Sequence, residues 1–192
     1  MRFAIFASGN GSNFEAVAKA YQNGEVSGEL VCLFCDKKEA FAIERAKQLG
    51  IPYFVLEKDQ EQSKGAYEKQ ILAILNKENI ELIVLAGYMK IIGSTLLNQY
   101  KGKIINLHPS LLPKYPGNKS IKEAYESSDK QTGVTIHLVD EGVDTGPIIY
   151  QESIRIDRSK TLDEFEKEMH QLEHRVLPTT LNQFILGEFK HV

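Results

Sequence analysis

The chain has only two cysteines, Cys32 and Cys35, and no apolar segment approaches membrane-spanning length. It also has no run of five or six like charges. Its 23 basic and 26 acidic residues are interspersed, giving a net charge of −3, which argues against a nucleic-acid partner. A signal peptide is not expected, because the opening Met1-Arg2-Phe3-Ala4-Ile5-Phe6-Ala7 meets glycines after too short an apolar run. The spacing of Cys32-Leu33-Phe34-Cys35 superficially matches a redox or half-zinc motif. Residues 29–35 read as a strand, however, which puts the two thiols on opposite faces with Cα atoms roughly 10 Å apart, too far for a disulfide. No second pair exists to complete a zinc site. What remains is a cytosolic enzyme or binding protein. At 192 residues, with 42% hydrophobic and 26% charged, the chain can bury one substantial core.

Strands and helices alternate along the chain. Residues 2–7 form a β run, and Ser8-Gly9-Asn10-Gly11-Ser12-Asn13 follows as a tight loop leading into a helix. Ser12 stands three residues before Glu15, a capping-box spacing, and Phe14, Val17, Ala18 and Tyr21 supply the apolar face. Strand, glycine loop and helix start together make an anion cradle suited to a phosphate. A dinucleotide fold competes, since Gly9-Asn10-Gly11 begins its glycine pattern and Asp36 stands where a ribose-binding acid would lie. Phe14 takes the place of the third glycine and would obstruct close helix–strand packing, so a single phosphate fits better than a pyrophosphate. Further helices are expected over residues 40–49 and 63–79, and near 95–99 and 121–127, with strands over 53–56 and 82–86. The strict alternation of residues 134–139 makes another strand, with Thr135, His137 and Val139 on one face. The last helix starts at the capping box Thr161-Leu162-Asp163-Glu164, and Pro178 is expected to kink or interrupt it. The pattern predicts an α/β fold: a three-layer, open twisted sheet, mostly parallel, with a Rossmann-like amino-terminal half.

The stretch that organises this sheet is Ile104-Ile105-Asn106-Leu107-His108-Pro109, followed by prolines at 113 and 116. The prolines cannot donate ladder hydrogen bonds, so the strand must stop near His108. Asn106 and His108 are thereby left at a carboxyl end, where open α/β sheets bind ligands. The alternative is a turn in which both residues merely satisfy loop backbone. The loop at residues 87–92 reads either as core or as the wall of a flat apolar ligand site.

Other motifs carry less. Asp144-Thr145-Gly146 spells the aspartic-protease tripeptide, but one copy in a strand–helix chain cannot supply the proton-sharing pair without a dimer. His170-Gln171-Leu172-Glu173-His174 spells an inverted zinc-protease signature, yet a third ligand would have to come from elsewhere. These side chains share a helix face that is either solvated or binds a polar ligand. His137 reads as a hydrogen-bonded sheet residue, and His191 as an idle residue of the tail.

Ser8-Gly9-Asn10-Gly11-Ser12-Asn13, Leu85-Ala86-Gly87-Tyr88-Met89, residues 106–113 and residues 140–147 together resemble the phosphoribosylglycinamide formyltransferases of the folate-dependent formyltransferase family, over nearly the whole length. The resemblance implies one formyltransferase domain over residues 1–192. Residues 1–100 would be its phosphate-binding half and 101–192 its folate and catalytic half. It implies direct transfer of a formyl group from 10-formyltetrahydrofolate, a co-substrate, to the amino group of glycinamide ribonucleotide, in purine synthesis. No metal and no covalent intermediate are expected. Asn106, His108 and Asp144 match the catalytic three. Gly11, Ser12 and Asn13 would hold the ribonucleotide with Glu173 on its ribose, and His170 stands where some relatives place a lysine near the phosphate. Met89, Lys90, Ile91 and Ile92, with Val139, Asp140, Glu141, Asp144 and Asn106, would enclose the pterin. Lys64 would meet the carboxylated folate tail, replacing an arginine common in the family. The implied protein is cytoplasmic, a monomer or weak homodimer, without nucleic-acid or membrane partners. Formyltetrahydrofolate hydrolases and other formyltransferases share the Asn, His and Asp logic. A non-catalytic nucleotide-phosphate binder is the alternative from another class.

Overall fold

The first strand, β1 (Arg2–Ala7), is buried on both sides from Phe3 onward and takes an interior position in a seven-stranded sheet. The computed structural model describes residues 1–189, so His191 lies outside the described residues. Five strands run parallel: β1, β2 (Glu29–Cys35), β3 (Tyr53–Val55), β4 (Leu82–Leu85) and β5 (Ile104–His108). Two antiparallel strands, β6 (Gln131–Leu138) and β7 (Ile148–Arg155), complete the order β3-β2-β1-β4-β5-β6-β7. The expected open, mostly parallel α/β sheet is the fold observed.

Period-two alternation in these strands sorts the core into two layers. Phe3, Ile5, Leu33, Val84 and Ile105 point to one side and pack against α1 (Ser12–Gln22), α2 (Phe41–Leu49), α5 (Ser120–Glu126) and α6 (Leu162–Ile185). Ala4, Phe6, Phe34, Ile83 and Ile104 point to the other, against α3 (Lys64–Lys77) and α4 (Ser94–Gln99). Cys35 falls in the first layer and Cys32 in the second, as the strand reading of residues 29–35 requires. Both thiols are free and buried, and burial pushes each up to about 12, which keeps them protonated and inert.

Two local expectations fail. Ser12 is the first helical residue of α1 rather than its cap. Gly11, at φ +75°, occupies the N-cap with no side-chain hydrogen bond. Glu15 does not reach back; its carboxylate pairs with Lys19 at 2.6 Å and with Arg45 from α2. Pro178 does not interrupt α6 either, and the helix continues to Ile185. Val176, Leu177 and Leu181 are seated in the core on either side of the proline, and their burial offsets the lost backbone hydrogen bond. The capping box at Thr161 forms as expected, with Glu164 N–H donating to Thr161 Oγ1 at 3.3 Å and Thr161 N–H to Glu164 Oε2 at 2.8 Å.

Candidate active site

A cleft of about 730 Å³ opens at the carboxyl ends of β1, β4 and β5. Sheet position explains why the polar residues gather there: parallel strands deliver the residues that follow them to one edge. Gly11, Ser12, Asn13, Met89, Lys90, Ile91, Ile92, Asn106, His108, Val139, Asp140, Asp144, His170 and Glu173 all line it.

Asn106, His108 and Asp144 form one cluster. His108 Nδ1 lies 3.4 Å from Asp144 Oδ2, and Asn106 Nδ2 donates to Asp144 Oδ1 at 3.3 Å. His108 Nε2 faces the Tyr115 carbonyl at 2.8 Å; a carbonyl can only accept, so this nitrogen carries a proton. A second proton on Nδ1 would turn the Asp144 contact into an ion pair. Gly117 N–H donates to Asp144 Oδ2 at 2.8 Å. Burial pushes the Asp144 carboxyl up, but the Gly117 N–H and the charge of His108 outweigh it and hold the group below the usual carboxylate range. Tyr115 and Asp144, which flank the His108 ring, both adopt left-handed backbone, at φ +54° and +55°. Such conformations cost roughly 1–3 kcal/mol and persist where the surroundings over-determine them.

His137 joins this cluster, a role its sequence did not disclose. Its Nδ1 donates to the Leu138 carbonyl at 2.8 Å, which leaves Nε2 of the neutral ring to accept from Asn106 Nδ2 at 3.1 Å. The antiparallel register sets Asn106 directly opposite His137. Thr135, two residues earlier on the same face, fixes the proline loop: its hydroxyl accepts from Leu112 N–H and donates to the Ser110 carbonyl.

The glycine turn forms another wall of the cleft. At Gly11 a Cβ would stand 2.4 Å from the Ala42 Cβ, so the close approach of α2 excludes any side chain there. Arg45 braces the turn from behind through the Asn10 carbonyl and side chain, both at 2.9 Å. Asn13 Nδ2 donates to Glu173 Oε2 at 2.7 Å, and His170 Nδ1 meets the same oxygen at 3.1 Å. Glu173 is buried while His170 is half exposed, so the helix face suspected of zinc binding is part of the cleft. Among the described residues, no group of three or more His, Cys, Asp or Glu is placed to hold a metal ion. Asn13 Oδ1 and His174 Nε2 are buried polar atoms with no partner in the protein.

Two residues expected in the site lie apart from the main cleft. Lys64 lines an adjoining depression of about 360 Å³ with Lys58, sharing residues 88–92 with the cleft as a common wall. Glu141 is outside the cleft lining. It sits on an exposed turn that Asp140 closes by accepting from Gly142 N–H and Thr145 Oγ1. Ser8 was not singled out from the sequence, yet its hydroxyl accepts from Met89 N–H at 2.8 Å and ties the base of the glycine turn to the opposite wall. Asp36, the acid considered for a ribose, is instead bonded to Lys90.

The formyl transferase family profile matches residues 1–181. The chain is 47% identical over 184 residues to the phosphoribosylglycinamide formyltransferase of Bacillus subtilis (strain 168), covering 96% of this chain and 94% of the relative. The crystal structure of phosphoribosylglycinamide formyltransferase from Bacillus halodurans superposes with a TM-score of 0.92 at 44% identity, covering 96% of this chain and 95% of that one. Glycinamide ribonucleotide transformylase 1 from Geobacillus kaustophilus gives the same TM-score of 0.92 at 45% identity, with 95% and 97% covered. With a profile spanning nearly the whole chain, and with the cleft and its Asn, His and Asp cluster at the carboxyl edge of the sheet, the chain belongs to the formyl transferase family.

Proposed function

We propose that the chain transfers the formyl group of 10-formyltetrahydrofolate to the amino group of glycinamide ribonucleotide, giving formylglycinamide ribonucleotide and tetrahydrofolate in purine biosynthesis. The observation that carries this reading is the convergence of Asn106, His108 and Asp144 on the same cleft that holds the glycine turn and Glu173.

In the reaction the amine nitrogen bonds to the formyl carbon, the bond from that carbon to folate N10 breaks, and a proton passes from the amine to N10. Negative charge develops on the formyl oxygen, so groups preorganised to meet it act chiefly in the transition state. His108 in its protonated form, braced by Asp144 and the Tyr115 carbonyl, supplies positive charge there. Asn106 supplies a neutral donor. Of its two N–H contacts the 3.3 Å one to Asp144 is the longer, and it is the one a formyl oxygen would replace. Both His108 nitrogens face protein oxygens before substrate enters, so passing a proton to N10 requires one of those partners to be exchanged. Holding two substrates in attack geometry is worth up to about 7–11 kcal/mol.

Gly11, Ser12 and Asn13 would take the phosphate, Glu173 the ribose hydroxyls, and His170 the rim of that subsite. Met89, Lys90, Ile91 and Ile92, facing Val139, Asp140 and Asp144, would hold the pterin, with Lys64 on the carboxylated tail. We read residues 1–192 as one domain, with the phosphate side within 1–100 and the folate and catalytic side within 101–192. Residues 88–92 and Glu173 cross that division. No helix among the described residues is long and apolar enough to cross a membrane.

The test is to incubate the chain with glycinamide ribonucleotide and a 10-formyl folate and follow folate absorbance. Product formation dependent on the ribonucleotide, lost in Asn106→Ala and His108→Ala while ribonucleotide binding survives, supports the reading. Folate release without ribonucleotide would indicate a hydrolase, and binding without transfer by the parent a non-catalytic binder.

A further inference from the structure

Asp36 follows directly on β2 and its side chain is 1% exposed, yet it lies outside the cleft lining. β1 separates β2 from β4 in the sheet. Lys90, in the segment after β4, reaches back past the end of β1 to set Nζ 2.5 Å from Asp36 Oδ2. The same ammonium stands 5.3 Å from the centre of the Tyr67 ring on α3. A carboxylate this deeply buried is strongly unfavourable without its counter-charge, so the pair anchors the lysine ammonium to the end of β2.

Residues 88–92 divide their side chains accordingly. Met89 and Ile91 are 62% and 60% exposed on the cleft wall, Ile92 is buried in the core, and Lys90 is turned onto Asp36. At one end the wall is tied to Ser8, which donates its N–H to the Gly87 carbonyl and accepts from Met89 N–H. At the other, Gly93 N–H donates to Glu68 Oε1 at 2.5 Å. Between these ties lies the Lys90–Asp36 pair. We infer that Asp36 is a positioning residue for the formyl donor: by holding Lys90 it fixes the backbone and the apolar side chains against which the donor's flat ring rests. The Lys90 ammonium is then engaged by the protein, and the donor's carboxylated tail falls to Lys64 in the adjoining depression. The inference rests on the proposed formyl transfer.

The experiment measures steady-state kinetics with each substrate varied, together with melting temperature, for Asp36→Asn, Lys90→Met, their double variant and Lys90→Arg. Breaking the pair should raise the KM for 10-formyl folate about tenfold in either single variant, with no further rise in the double, because one lost contact is the common cause. In Asp36→Asn, kcat and the ribonucleotide KM should stay within about twofold, since the reacting cluster is untouched. Lys90→Arg keeps a cation for Asp36 and should raise the donor KM less than Lys90→Met does. An unchanged donor KM in Asp36→Asn, additive effects in the double variant, or equal rises in both KM values would overturn the role of Asp36. A parent that transfers no formyl group removes the proposed function and this inference with it, whereas a transferring parent with unchanged donor KM removes only the latter. If Asp36→Asn does not fold, the double variant, which leaves neither charge unpaired, carries the test, and an unchanged donor KM there would overturn the role of Asp36.

Discussion

Asn106 Nδ2 lies 3.1 Å from His137 Nε2, across the β5–β6 pairing that sets the two residues opposite each other. Because His137 Nδ1 is committed to the Leu138 carbonyl, Nε2 is an acceptor, and the contact fixes which way round the Asn106 amide stands. His137→Ala removes that constraint and leaves an amide N–H unpaired, at a cost of about 1–3 kcal/mol. The expected result is a fall in kcat of about tenfold or more with both KM values near parental, and partial recovery in His137→Gln, whose side-chain oxygen can still accept. A KM effect without a kcat effect would contradict this orienting role.

Gly11→Ala should weaken both the fold and the phosphate site. The residue is at φ +75°, where an alanine costs about 1–2 kcal/mol on backbone grounds alone, and the added Cβ would overlap Ala42. Denaturant unfolding should show a loss of about 2 kcal/mol or more. The ribonucleotide KM should rise more than the folate KM, because the turn is the proposed phosphate subsite.

The sheet, the glycine turn and the Asn106/His108 strand end were legible because each is encoded locally. Prolines terminate β5, glycines permit the turn, and alternation sorts Cys32 from Cys35. What escaped depended on partners distant in sequence. His137 gains its place from antiparallel pairing with β5 across a long connection, and no spacing in the chain announces that pairing. The Ser12 to Glu15 spacing misled because Arg45, thirty residues on, takes the Glu15 carboxylate. Pro178 misled because burial of its neighbours outweighs the local rule.

His170 offers a readout of the proposed ribonucleotide side. Its hydrogen bond to Glu173 raises its pKa above 6.5 despite partial burial, with the Glu173 and Glu166 charges adding to the effect. A group whose folded pKa is raised stabilises fully below its unfolded value and loses that contribution as pH rises through the folded one. The parent should therefore melt above His170→Gln by most near pH 6, and the difference should shrink as pH climbs beyond neutrality. A constant difference from pH 6 to pH 9 would place the effect in packing rather than charge.

Asp144 works in the opposite sense. Its folded pKa lies below the ordinary 3.8, so the stability it contributes is present above that value and is lost as pH falls through the lower, folded one. The melting difference between parent and Asp144→Asn should be flat from neutrality to about pH 5 and should close below about pH 4. Activity follows a different rule. The Asn variant keeps an acceptor for Gly117 N–H but loses the negative charge that faces His108 Nδ1 at 3.4 Å. Its kcat should fall by about 10²-fold or more, a magnitude typical of removing one preorganised electrostatic partner from a transition state. An unchanged kcat in Asp144→Asn, with the fold intact, would mean that the carboxylate takes no part in the reaction.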